Sequence, residues 1–355
     1  MIGLSGLVHS NALISTWAQA IYPVAILVSA LAFLEVTRAD PRLLTWCAAA
    51  VAIGLLLGAI LQPAGVSSAL PVIKSGLGLA AVIGVLAIGS LLRLNALASF
   101  SVSLALAVWL LLADFRSAAV VCAVSGFIVL FSRGKTVASG VVKVMALACL
   151  AGVVGLSGYT WAVQSGVLGE AALTRYDQQM SNEAGLLVGG RPEVVISRVA
   201  IESHPWIGRG GNPQFTFSER LEALGALSSS GIEVSAVQAM RLIGTGINSH
   251  SLIFGSWVEN GLLGIVPWLA FAVFLWAGSI AAVSNRMRLA PLLVFGTVQT
   301  SWDLFFSPWS ARYDVWLGLL CAIAFASLAH SAFKPAVTTL GEASVILVKM
   351  RGKRR

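Results

Sequence analysis

The chain has 355 residues, of which 57% are hydrophobic and only 11% are charged, and its mean hydropathy is +0.88. These values exclude an ordinary soluble domain and predict an integral membrane protein. The net charge of +8 does not indicate nucleic-acid binding, because the sequence has no basic patch with interleaved aromatic residues.

Apolar stretches long enough to cross a bilayer as helices recur along the chain, whereas the short alternating strands of a barrel do not. The predicted fold class is therefore all-α, a polytopic transmembrane helix bundle of about nine spans. The predicted spans are 14–36, 43–62, 72–92, 96–114, 117–132, 138–160, 261–284, 289–307 and 313–333. The first basic residue, Arg38, follows the first span, so we expect this span to be retained rather than cleaved as a signal peptide. The four cysteines lie inside spans without metal-site spacing, and neither a disulfide nor a metal is expected.

The lysines and arginines predict the orientation. The tail MRGKRR at 350–355 favours a cytoplasmic C-terminus, and nine crossings then place the N-terminus outside. Four parts follow along the chain: a six-span block, a large extracytoplasmic loop containing short helices, a three-span block and a basic cytoplasmic tail. Their predicted ranges are 1–160, 161–249, 250–333 and 334–355. The basic cytoplasmic side suits anionic membrane lipids as partners.

The loop contains one strongly patterned segment, GGRPEVVISRVAIESHPWIGRGG at 189–211. Pro192 suits the first turn of a helix, and the apolar residues after it predict a short amphipathic helix that ends before His204 and Pro205. The GRGG run at 208–211 offers backbone amides for an anion site, although a plain turn is the simpler interpretation.

A second segment, GINSHSLIFGSWVENGLLG at 246–264, places His250 where polar residues give way to apolar ones. The residue is an ordinary interfacial side chain or a proton-transfer group. His250 is predicted to open a helix that Asn248 and Ser249 cap. Glu259 would lie near the opposite side of that helix and serve orientation or packing.

Together these segments resemble the O-antigen ligase and polymerase superfamily, membrane glycosyltransferases that move lipid-linked glycans outside the bacterial inner membrane. The family pattern is an arginine after glycine, then proline and G-x-G, then a histidine, then a glutamate and G-L-x-G before a membrane helix. The matching residues are Gly190, Arg191, Pro205, Gly208, Gly210, His250, Glu259, Gly261, Leu262, Leu263 and Gly264. The resemblance covers about residues 114 to 284. It departs from the family at Ser251, where asparagine is common, and in having nine spans rather than about a dozen.

The family also has an arginine, usually after serine, at the start of an earlier membrane helix. Arg116 in ADFRSAAVV and Arg133 in LFSRGKTVAS are the two candidates. The literal SRG favours Arg133, but the predicted topology places that residue in the cytoplasm and Arg116 at the outer mouth. Arg116 is therefore preferred as the family arginine. The simpler interpretation is that Asp114 only neutralises its charge.

The resemblance implies a glycan donor carried on undecaprenyl pyrophosphate. Arg191 and Arg116 would hold the pyrophosphate, because guanidinium groups bind phosphate oxygens bidentately and keep their charge. Arg198 and Arg209 are further candidates for substrate binding. A neutral His250 would act as general base on the acceptor hydroxyl, or would only orient the acceptor or donate to the pyrophosphate. Direct displacement would invert the anomeric centre, and no cofactor or metal is expected, since the loop has no DxD pair.

Several functions stay open at this stage. Ligase and polymerase differ in the acceptor, a lipid or protein in one and a second lipid-linked repeat in the other. A polytopic transporter or flippase for a lipid-linked or anionic substrate would place charges inside spans, where Lys143 and Asp303 are the candidates. A non-catalytic assembly protein is the third alternative.

Overall fold

The computed structural model describes residues 13–38, 40, 42–61, 69–113, 115–131, 157–158, 160–167, 169–180, 192–211, 213–232, 236–244, 246–247, 249, 251–307 and 314–332. Across these ranges the chain is helical and contains no strand. The predicted all-α class is confirmed for this part of the protein.

The helices follow the apolar stretches of the sequence. In chain order they are α1 (Leu13–Thr37), α2 (Leu43–Ile60), α3 (Ala69–Leu91), α4 (Ala96–Leu112), α5 (Arg116–Phe131), α6 (Glu170–Met180), α7 (Pro192–Ser203), α8 (Phe217–Ser229), α9 (Ala236–Ile243), α10 (Leu252–Asn260), α11 (Leu262–Ser284), α12 (Ala290–Phe306) and α13 (Asp314–Ala332). Helices α1 to α5 and α11 to α13 agree with predicted spans to within about three residues. The sixth predicted span, 138–160, lies almost entirely outside the described residues.

Within the described ranges, three helices are long and apolar enough to cross a membrane: α2, α11 and α13. A helix rises about 1.5 Å per residue, so 18 to 23 residues approach the thickness of a hydrocarbon core. The parts of α1 and α3 whose side chains the structure describes, Pro23–Thr37 and Leu77–Leu91, are apolar but shorter, and α4 and α5 have only 17 and 16 residues. Helices α2, α11 and α13 indicate a membrane protein.

Small residues let the C-terminal helices pack closely. A Cβ atom at Gly278 of α11 would lie 2.5 Å from the Cβ of Ala324 in α13. At Gly296 of α12 it would overlap Leu320 and come within 2.9 Å of Trp316, both in α13. Close approach of backbones at glycine is the usual device of packed membrane helices. It positions α12 against α13, and α12 carries one wall of the candidate site.

The order of the helices defines two ends of the bundle. Ser90, near the end of α3, donates a 2.8 Å hydrogen bond to the carbonyl of Arg288, just before α12. Val129, near the end of α5, and Ala290, the first residue of α12, both line a cavity at this end of the bundle. Helices α5 and α12 pack against each other, and because the end of α5 lies near the start of α12, they run antiparallel. We call the end at which α12 begins the Arg288 end, and the end at which it finishes the Phe306 end.

Helices α7 to α10 form a folded unit between the two helical blocks. Their shared core contains Ile196 of α7, Leu227 of α8, Ile243 of α9 and Val258 of α10, all buried. Burial of each such side chain contributes about 1.5 to 3 kcal/mol. The amphipathic helix predicted between Pro192 and His204 is confirmed, since α7 spans Pro192–Ser203.

Candidate functional site

A small cleft forms where the start of α7 meets the start of α10. Its lining residues are Glu193, Val194, Ser197, Ser249, Ser251, Phe254 and Phe305. Its volume is about 10 Å³, which is room for about one water-sized sphere. Arg191 and His250 lie outside the described residues. In the chain, however, Arg191 stands two residues before Glu193, and His250 stands between Ser249 and Ser251. The described neighbours of both predicted residues therefore line one cleft.

Ser251 fixes the start of α10. Its Oγ accepts a 3.2 Å hydrogen bond from the backbone N–H of Phe254 and donates a 2.7 Å bond to the carbonyl of Leu304 in α12. The prediction that His250 opens this helix with Asn248 and Ser249 as caps is wrong, because α10 begins at Leu252 and Ser251 is its cap. Ser251 occupies the position where the resembled family often has asparagine, and both side chains can cap a helix. The bond to Leu304 also places the cleft at the Phe306 end.

Ser197 is a cleft residue that sequence reasoning missed. It is 1% exposed, and its Oγ has no hydrogen-bond partner among the described residues. A buried hydroxyl without a partner costs about 1 to 3 kcal/mol. Because Ser197 lines the cleft, it is a candidate functional residue. The sequence signal was present: Glu193 and Ser197 are four residues apart and share one face of α7.

The two glycine motifs of the resemblance contact each other. The amide of Arg209 donates to the carbonyl of Val258 at 2.7 Å, and that of Gly210 donates to the carbonyl of Glu259 at 2.8 Å. In the opposite direction, the amide of Leu262 donates to Pro205 at 3.0 Å. The alternative of an anion site on the GRGG amides is therefore wrong, because the amides of Gly208, Arg209 and Gly210 bind carbonyl groups. The run serves as a docking strip for the end of α10.

Backbone conformation explains why glycine is needed on both sides of this contact. Gly208 and Gly261 have φ angles of 74° and 70°, in the left-handed region that favours glycine. A Cβ atom at Gly208 would meet the backbone of Glu259 and Asn260 at 2.5 Å, and one at Gly261 would overlap the carbonyl of Trp206. The G-x-G and G-L-x-G patterns are thus two halves of one close backbone approach.

Arg209 is buried beneath this junction. Its guanidinium group donates to the carbonyls of Ala200 and Gln214, to Ser203 Oγ and to both carboxylate oxygens of Glu219. An arginine has five N–H donors, and these five acceptors match that number. Among the predicted substrate-binding arginines, Arg209 therefore has a structural role here, holding α7 to α8.

Arg209 also sets the charge state of Glu219. Hydrogen bonding from Arg209 lowers the pKa of Glu219 from 4.5 to about 2, although burial opposes the shift. Bonds from Thr216 act in the same direction as Arg209. Glu219 also completes a capping box with Thr216 at the start of α8, so the carboxylate joins a helix cap to the loop.

The other predicted residues lie at different places. Arg198 is exposed on α7 and pairs with Glu202 at 2.7 Å. Glu259 lies half-buried on α10, with its carbonyl in the glycine junction. Arg116 is the first residue of α5 and therefore lies at the Phe306 end, the same end of the bundle as the cleft. Arg133 lies outside the described residues, beyond the last residue of α5.

The described residues contain no group of three or more His, Cys, Asp or Glu side chains that could hold a metal ion. Comparisons with protein-family profiles, with curated proteins and with solved structures give no match.

Proposed function

We propose that the chain is a membrane glycosyltransferase of the O-antigen ligase or polymerase type. It crosses the bacterial inner membrane nine times, with the N-terminus outside and the C-terminus in the cytoplasm. It moves a glycan from undecaprenyl pyrophosphate to a sugar hydroxyl on the periplasmic side. The observation that carries this proposal is the cleft, because the described neighbours of Arg191 and of His250 line it together.

Two further observations support the proposal. The proline, G-x-G and G-L-x-G parts of the resemblance form one backbone junction. The junction joins the ends of α7 and α10, and the starts of the same two helices line the cleft. Arg116 begins α5 at the same end of the bundle, which favours it over Arg133 as the family arginine.

In the proposed reaction, the acceptor oxygen attacks the anomeric carbon while the bond from that carbon to the pyrophosphate oxygen breaks. His250 takes the hydroxyl proton, which contributes about 10² to 10⁴ in rate. The leaving pyrophosphate keeps the electron pair. Arg191 and Arg116 bind it, and their stabilisation grows as charge develops in the transition state. A single displacement inverts the anomeric centre, and no metal ion takes part.

The test uses full-length protein in liposomes with a lipid-linked oligosaccharide, with and without chelator, and follows product length. We expect His250→Ala to lower transfer by about 10² or more. His330→Ala is the matched control, since it removes an exposed imidazole near the end of α13. A ladder of products identifies a polymerase, and a single addition to lipid-linked core identifies a ligase.

Unchanged products from His250→Ala would remove this residue from the mechanism. Activity lost on chelation would contradict the metal-independent reaction. Movement of the lipid-linked glycan across the bilayer without any new glycosidic bond would support the transporter or flippase alternative instead.

A further inference from the structure

A second and larger cavity lies at the Arg288 end, opposite the candidate site. Its volume is about 320 Å³. It is formed by the turn between α3 and α4, which contributes Arg93, and by the turn between α11 and α12, which contributes Arg286 and Arg288. The hydrogen bond from Ser90 to the Arg288 carbonyl joins the two turns. Three arginines thus line one open cavity.

The electrostatics of this cavity favour an anion. No acidic residue of the described chain lines it, and no described carboxylate pairs with any of the three arginines. Helices α4 and α12 both begin beside it, at Ala96 and Ala290, so their positive dipole ends add to the charge. Asn95 caps α4 by accepting a bond from Ala98, and its amide group remains a donor at the rim.

Each of the two turns contains one arginine with a left-handed backbone. Arg93 and Arg286 have φ angles of 57° and 54°, and they are the two non-glycine residues with positive φ in the described part of the chain. Such a conformation is unfavourable for an arginine and would suit glycine or asparagine better. Both residues follow the last turn of a helix, and the bonds from the Leu94 amide to Gly89 and from the Met287 amide to Ala282 close these helix ends. Each helix end thus places an arginine beside the cavity.

Apolar side chains on the rim distinguish a lipid from a soluble anion. Val85 and Leu94 line the cavity and are each 36% exposed. We propose that the cavity binds the phosphate group of an anionic phospholipid from the cytoplasmic leaflet. The three arginines hold the phosphate, and an acyl chain lies along Val85 and Leu94. Basic pockets between membrane helices on the cytoplasmic side are suited to such head groups. The choice of leaflet rests on the proposed topology, whereas the site itself does not depend on glycosyl transfer.

The experiment titrates phosphatidylglycerol or phosphatidylcholine into full-length protein in detergent micelles and counts bound lipid by native mass spectrometry. The pocket variant is Arg93→Gly with Arg286→Gly. We expect it to bind phosphatidylglycerol on the order of tenfold more weakly or worse, since charged hydrogen bonds to phosphate are lost. Its lipid-free Tm should match or exceed that of wild type, because glycine relieves the left-handed backbone. The matched control, Arg38→Gln with Arg42→Gln, removes two charges from the same predicted face and should bind within about twofold of wild type.

Three results would overturn the proposal. The first is equal lipid binding by the pocket and control variants. The second is a lower lipid-free Tm of the pocket variant, which would attribute its lost binding to damage of the fold. The third is displacement of phosphatidylglycerol by millimolar inorganic phosphate, which would make the cavity a site for a soluble anion. Because glycan transfer is not measured, these results are independent of the proposed enzymatic function.

Discussion

The glycine junction between the loop and α10 makes a quantitative prediction for Gly261→Ala. Gly261 has φ 70° and ψ −170°, a conformation that costs a non-glycine residue about 1 to 3 kcal/mol. The added methyl group would also overlap the carbonyl of Trp206, so the two segments must separate. Separation loses the backbone bonds of Arg209, Gly210 and Leu262, each worth about 1 kcal/mol. The expected loss of unfolding free energy is about 4 to 6 kcal/mol.

Thermal or denaturant unfolding in detergent, followed by tryptophan fluorescence, measures this loss. Trp206 lies at the junction, and Trp257 donates a 2.8 Å bond to the Pro205 carbonyl there, so the signal reports on the affected region. The control is Gly225→Ala in α8, where an added Cβ meets nothing within 4 Å. That control should stabilise the protein by about 0.5 to 1 kcal/mol, since alanine favours helix. If Gly261→Ala is as stable as the wild type, the close approach between Gly261 and Trp206 is refuted.

Three further predictions concern side chains near the cleft and the junction. Ser251→Ala loses the α10 cap and the bond to Leu304, and should lower the unfolding free energy by about 1 to 3 kcal/mol; an unchanged melting midpoint would argue against that cap. Ser197→Ala removes a buried hydroxyl that has no partner in the described structure, and should leave stability unchanged or raise it by about 1 kcal/mol; a clear loss in the same unfolding assay would mean that the hydroxyl is bonded. The depressed pKa of Glu219 contributes stability that is fully present above pH 4.5 and is lost as the pH falls towards about 2. A pH series of unfolding midpoints should show a loss on the order of 3 kcal/mol that Glu219→Gln abolishes, and an identical acid profile for both proteins would contradict the pairing with Arg209.

Local sequence signals predicted the helices well. The ends of α7 follow from Pro192, which suits a first helical turn, and from Pro205, which cannot continue a helix. The apolar helices follow from the lengths of their hydrophobic runs, and these runs leave little freedom at either end. Where charged or turn residues interrupt an apolar run, the predicted and observed boundaries agree.

Long-range contacts explain what the sequence did not reveal. The start of α10 depends on Ser251 bonding to Leu304, a residue 53 positions away, and no local pattern encodes that bond. The amides of Arg209 and Gly210 looked available because their carbonyl partners are about 50 residues further along the chain. The position of Glu219, the partner of Arg209, was predictable in part. The TFSE stretch has the form of a capping box, which places Glu219 in the first turn of α8.

Val258 belongs at once to α10 and to the buried cluster of α7 to α9. A soluble fragment cut after residue 249, the predicted end of the loop, would lose this side chain and the carbonyl groups that bind Arg209 and Gly210. Its apolar surface and two amides would then face water, which favours aggregation of the excised piece. A fragment intended as an antigen or for crystallisation should therefore extend through Asn260.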